Sequence, residues 1–359
     1  MKMNRIIAGV SFALLCLIGL SVTGDVVPPQ VFVPATPMQI SSGNGSGYSW
    51  ISKFGENPDI DSGGGFEVIW DAGGDYVAPT TARLHDIASD NAADVGVVVS
   101  SGVATGGSDV TLVDTSATFS SDGVIAGDFL LNDDDVTIGR VLSVLSETAV
   151  FVSRMADPRG GLSIGVNHVG SNYRIVSPNG TGAGIMHLSG VDATAAEFQS
   201  EFVVINGASN VATAKSYFMI HRCRIFVAGA TNGAVGVITA TAQTDGTVTC
   251  QVVDGNNQSE MAVFMVPRNY TAYLTSWWAS ISSRNTSSSV VKLRAGELNG
   301  VSYVTQVRAL NSSGSGNFIY VYPIPTTIPG GASIFIEADS SANNTALSGG
   351  FELTLIRNR

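Results

Sequence analysis

Charge is what this chain has least of. Of its 359 residues, 13% are Asp, Glu, Lys or Arg, about half of the roughly 25% usual in soluble proteins. Lys and Arg number 18 against 29 Asp and Glu, for a net charge of −11. So few cations leave no face able to follow a phosphate backbone, and nucleic acid is excluded from the expected partners. The three cysteines (Cys16, Cys223, Cys250) and four histidines (His85, His168, His187, His221) are scattered along the chain. They lack the paired close spacings of a zinc site, so no metal is expected. Gly63-Gly64-Gly65 neither follows a strand nor opens a helix, so no phosphate cradle and no cofactor are expected either. Amphipathic helices are missing from the pattern, apart from one short turn near Asp192 to Phe198.

Small and β-branched residues fill the space that charge leaves. Glycine reaches 41 and the hydrophobic fraction 44%, too apolar for a disordered chain. Strand-length runs recur with Gly, Asn, Asp and Ser turns between them. Examples are Val110 to Asp114, Ile138 to Val144, Ala149 to Ser153 and Phe218 to Arg222. Ile334, Ile336 and Ala338 alternate with Ser333, Phe335 and Glu337, and Phe351, Leu353 and Leu355 with Glu352, Thr354 and Ile356, as in strands with one buried face. The reading is all-β: an antiparallel, jelly-roll-like sandwich over 51–96 and 181–359, carrying a small inserted β-barrel or β-sandwich at 97–180. Within it, 51–76 reads as an irregular segment pinned onto a larger surface. Cys223 and Cys250 fall on strands one and three of a meander, and their pairing stays open.

The beginning of the chain reads differently. Lys2 and Arg5 precede an apolar run from Ile6 to Val22, then Thr23-Gly24-Asp25. Residues 1–24 are therefore a secretory signal peptide, or else an uncleaved anchor or buried apolar segment. Contact with a membrane is expected only through residues 6–22, if they are kept. Residues 25–50, with four prolines and a Gly/Ser run, read as a linker or arm.

No group of residues points to catalysis. Asn132-Asp133-Asp134-Asp135 is acidic enough to suggest calcium, yet lacks alternating ligands and a closing bidentate Glu, so it reads as a hairpin turn. No Gly-x-Ser-x-Gly elbow sits between a strand and a helix. Asp59, Asp61, Glu67, Asp71 and Asp75 could supply a glycosidase pair, but carboxylates at Gly-rich turns more often bond locally. Trp277 and Trp278 adjoin on one strand and so point to opposite faces. One is read as core and the other as interface; with Trp70, Tyr76 and Phe54 they form the candidate interface set.

Lys53-Phe-Gly-Glu-Asn-Pro-Asp-Ile-Asp61, followed by Ile69-Trp-Asp-Ala-Gly-Gly-Asp-Tyr76, resembles the opening signature of a family of tailed-phage and prophage virion structural proteins. Ala72 stands where that family has Gly. Phe218-Met-Ile-His-Arg222, Val237 to Thr241, Gly255 to Pro267, Thr271 to Thr275, Ser340 to Thr345 and Gly350 to Leu355 fit the same pattern in order. The resemblance implies a non-catalytic component of the virion: a capsid-decorating, head-fibre or tail-associated protein. Its expected partners are itself, as a homotrimer, and other virion proteins. The unit at 97–180 interrupts the pattern and the leader lies outside it. The alternatives are a secreted or surface-anchored bacterial protein of prophage origin or, more remotely, a carbohydrate-binding module.

Overall fold

A computed structural model describes residues 48–157, 169–178, 180–282, 288–296, 302–311 and 316–358; the leader and all but the end of the arm lie outside these residues. The described chain is all-β. In order, it forms β1 (Tyr48–Ile60), β2 (Glu67–Val68), β3 (His85–Ser89), β4 (Val97–Val103), β5 (Gly106–Ser108), β6 (Thr111–Val113), β7 (Phe129–Asn132) and β8 (Thr137–Ser146). There follow β9 (Ala149–Val152), β10 (Asn172–Ser177), β11 (Ala183–Asp192), β12 (Phe198–Val204), β13 (Val211–Ala212), β14 (Tyr217–Ala228), β15 (Ile238–Ala242) and β16 (Val248–Val252). The remainder are β17 (Val263–Met265), β18 (Tyr270–Ser282), β19 (Ser288–Gly296), β20 (Ser302–Asn311), β21 (Asn317–Ile328), β22 (Ser333–Ser340) and β23 (Thr345–Arg357). The short helical turn expected near Asp192 is instead the β11–β12 connection. There the Asp192 carboxylate accepts the Ala196 and Glu197 N–H groups and so closes a turn.

One pair of sheets packs around a common core. The first has the order β1-β23-β18-β21; the second runs β17-β22-β19-β20, with β2 also paired to β22. Trp277, Phe351, Leu353 and Leu355 from the first meet Val291, Leu293, Ile334 and Ile336 from the second, all essentially solvent-free. From β17 to β23 the chain passes repeatedly between the two sheets, which is why strands distant in sequence lie side by side. The region expected to be irregular contributes a full strand: β1 pairs with β23 from Tyr48 to Asn57, and the register shifts only between Asn57 and Ile60. That bulge holds Pro58, whose missing N–H would break a regular ladder.

The described residues of 51–96 and 181–359 build two cores rather than one. The sheets β12-β11-β14 and β13-β3-β15-β16 enclose Met186, Leu188, Tyr217, Met219, Ile87, Ile238 and Val252. Strand β22 belongs to both cores. Its Ile334, Ile336 and Ala338 enter the first, while Phe335 enters the second. The expectation of one buried face for β22 is thereby corrected.

Cys223 and Cys250 form a disulfide with Cα atoms 6.3 Å apart. They do not occupy one meander. Strand β14 lies in one sheet and β16 in the facing one, so the bond crosses the second core.

The seven strands β4 to β10 form a sheet of their own, in the order β4-β10-β7-β8-β9-β6-β5. It encloses Leu112, Phe119, Leu130, Val150, Met155 and Ile175. A smaller apolar cluster of Leu131, Ile138 and Val176 with Ile185, Phe202, Val204 and Val227 fastens it to β11, β12 and β14.

Candidate interaction surface

The residues of the opening motif converge on the junction between the two cores, and their polar groups bond to the chain itself. Lys53, 3% exposed, donates its ammonium to the carbonyl of His221. Burial, with Arg222 nearby, pushes the Lys53 pKa well below the usual lysine range. Burial likewise pushes His221 far down, and its Nε2 accepts the Met265 N–H at 3.2 Å, as only an unprotonated nitrogen can. Asp71 accepts the Glu260 N–H at 3.0 Å; burial raises its pKa to about 7, a rise partly offset by that bond. Asn57, fully buried, donates to the Val68 carbonyl and accepts the Asp59 N–H. Glu67 accepts N–H groups from Asp61 and Gly74. Gly73 and Gly74 both have positive φ, 69° and 64°, a turn that only glycine makes without strain. These groups clasp β1, the 67–76 segment, β14 and β17 together. Of the carboxylates considered for glycoside chemistry, Glu67 takes backbone donors on both oxygens, and Asp71 takes one on Oδ2 while its Oδ1 is buried without a donor.

The acidic run forms the β7–β8 turn. Arg174 binds Asp133 through Nη2 at 2.6 Å and Nε at 2.9 Å, Asp134 accepts from Asn172, and Asp135 accepts from Asn132.

Of the five aromatic residues expected at an interface, three are core. Trp70 (4% exposed) and Tyr76 (8%) meet edge to face at 5.2 Å in the second core. Trp277 (0%) packs edge-on against Phe318 at 4.5 Å, and its Nε1 donates to Gln306. Buried rings cannot contact a partner, so the interface assignment is corrected for these three. Phe54 and Trp278 are half-buried and lie on the opposite face of the first sheet.

That outer face is built by strand register. Phe54, Gly350, Trp278 and Ile319 form one row across β1, β23, β18 and β21; Ser52, Glu352, Ser276 and Val321 form the next; Trp50, Thr354, Tyr273 and Thr327 form a third. None of Trp50, Phe54, Tyr273, Trp278, Ile319 and Val321 belongs to any of the four apolar clusters. Gly350 is required here: a Cβ would come within 2.8 Å of the Trp278 ring and 2.5 Å of the Lys53 carbonyl. The indole therefore covers the glycine, as aromatic side chains do on sheets. Arg222 approaches from β14, its Nη2 bonded to the Ser52 carbonyl at 2.9 Å and its guanidinium 5.7 Å from the Phe54 ring centre. A depression of about 290 Å³ lies beside the indole, lined by Trp278, Ser280, Asn317 and Ile319 with Ala279 and Phe318.

Sequence reasoning found Phe54 and Trp278 but missed Trp50, Tyr273 and the Ser/Glu row between them. The alternation in β23 carried a signal, since it put Glu352 and Thr354 opposite the core. What one strand could not reveal was which other strands shared its outer face. No family model matches the chain, and no curated protein matches it.

Proposed function

We propose that the chain is a non-catalytic structural component of a bacteriophage particle, acting through symmetric packing of its first sandwich as a homotrimer and through contacts with other virion proteins. The observation that carries this reading is the edge formed by β20 and β21. Ile319 (69% exposed), Val321 (63%) and Ile324 (82%) stand in solvent along β21, and Val307 (45%) projects from β20 of the other sheet, beside backbone edges that no strand of the described chain covers. Large apolar side chains grouped at an edge mark an association surface. Pro323 and Pro325 lie on β21 and lack N–H groups, which blocks continuous strand addition and favours contact through side chains. The strand orders β1-β23-β18-β21 and β17-β22-β19-β20 are those of a jelly roll, an architecture used in viral capsid domains and lectins. The motif residues support the same reading, because their groups hold the fold together.

A second reading, an exported or surface-anchored protein, is favoured by the Cys223–Cys250 disulfide, since such bonds persist in oxidising compartments. Peptide mass spectrometry on purified particles separates the two. Recovery of this chain at structural-protein abundance supports the particle role. Its absence there, with a processed form in the envelope or medium, refutes that role.

A further inference from the structure

We infer that the outer face of the β1-β23-β18 portion of the first sandwich binds an uncharged oligosaccharide. Trp50 and Tyr273 occupy one row of this face, and Phe54 and Trp278 another. Between them runs a polar row of Ser52, Glu352 and Ser276. Trp50 and Phe54 are four residues apart on one strand, so the two aromatic rows lie about 13 Å apart at the rise of an extended chain. A chain of three pyranose rings covers that distance. Its terminal rings would lay their C–H faces on the aromatic platforms while the middle ring meets hydroxyl and carboxylate groups.

Three features select this ligand over others. The Trp278 indole is held down on Gly350, which fixes its plane and lowers the ordering cost of stacking. The polar row holds hydroxyls and a carboxylate. Ser52 Oγ donates to Glu352 Oε1 at 2.8 Å, and Oε2 is left shielded without a donor, a position that a small rotation of the side chain would offer to a ligand hydroxyl. The charge balance is wrong for an anion: Glu56 and Glu352 project from this face, and Arg222 is engaged by the Ser52 carbonyl at its margin. The depression beside Trp278, with Ser280 and Asn317 at its wall, has room for one further ring. The inference does not depend on the particle assignment; its platforms stand on β1, β23 and β18, while Ile319 and Val321 of the association edge border them on the adjacent β21.

The test is a printed array of neutral and anionic glycans probed with the purified full chain, followed by affinity electrophoresis in gels containing the neutral polysaccharide of the best responding class. Trp278→Phe keeps Gly350 covered, while Tyr273→Ala and Trp50→Ala remove platforms that cover no glycine; circular dichroism confirms that each variant is folded. The expected result is binding to neutral glycans with a dissociation constant raised about tenfold in Tyr273→Ala, in line with the strength of one aromatic contact. Binding confined to anionic glycans, no binding on the array, or wild-type affinity in both Tyr273→Ala and Trp50→Ala would overturn the inference.

Discussion

At Gly55 the backbone of β1 passes so close to its neighbours that a Cβ would lie 2.4 Å from both the Ala262 nitrogen and the Ile69 oxygen. Those atoms belong to main chain and cannot turn aside. Gly55→Ala is expected to lower the unfolding free energy by about 3 kcal/mol, the upper range for overpacking, as read from urea denaturation. His85 supplies a second prediction. It is fully buried, and that burial lowers its pKa to about 4, against small opposing effects of the Arg83 backbone, Asp245 and Asp86. In the unfolded chain the imidazole takes up a proton near pH 6.5, whereas in the fold it stays neutral down to about 4. The unfolded state therefore binds more protons across this window, and stability falls as pH drops from 6.5 to 4, by about 3 kcal/mol in total. Asp71 acts in the opposite sense: its raised pKa makes the folded state bind the extra proton between about 4 and 7. The comparison that isolates His85 is wild type against His85→Phe, with the difference in urea midpoint between pH 7 and pH 4 as the readout. At this scale the sequence was legible as a motif and illegible as a mechanism. Lys53, Asn57 and Asp71 could be recognised together, but the His221 carbonyl, the Val68 carbonyl and the Glu260 N–H that engage them are fixed only by long-range packing.

Strands were the most legible elements, because a two-residue period survives in any sheet. Phe351, Leu353 and Leu355 are all solvent-free, with Glu352, Thr354 and Ile356 on the open side, as the alternation implied. Strand β22 was only half legible: Phe335 interrupts its polar set since the second core waits on that side. Strand β1 was missed because Pro58 and the flanking Gly and Asp residues carry turn signals that a bulge absorbs. The Cys223–Cys250 bond was undecidable for a related reason, since β14 and β16 belong to facing sheets and sequence order does not reveal a change of sheet. With 27 residues separating its cysteines, this bond is expected to add about 3 to 4 kcal/mol by restricting the unfolded chain. Cys223→Ala combined with Cys250→Ala should lower the urea midpoint correspondingly. Dithiothreitol should lower the wild-type midpoint and leave that of the double variant unchanged.

At the scale of the molecule, the unit from β4 to β10 enters and leaves through adjacent strands, since Val97 pairs with Ser177. That geometry suits a domain spliced into a surface connection. Replacing residues 99–175 by a short Gly/Ser link is expected to leave both larger cores folded. It would also uncover Ile185, Phe202, Val204 and Val227, which now pack against Leu131, Ile138 and Val176. The trimmed chain should keep its strand circular dichroism while binding anilinonaphthalene sulfonate more strongly than the full chain. Loss of the strand signal would mean that this unit is indispensable to its host.

The order of strands also sets a timetable for synthesis. β23 lies between β1 and β18, and Ser52 and its partner Glu352 are 300 residues apart in sequence. While the ribosome is still upstream of β23, the first sheet has a vacant centre, with β1 on one flank and β18 with β21 on the other. Two strand edges and the apolar inner surface around Trp277 then stay available to chaperones. A translation stall within β21 or β22 would prolong this exposed interval and raise the yield of aggregated chains, whereas a stall after β23 has emerged would have little effect.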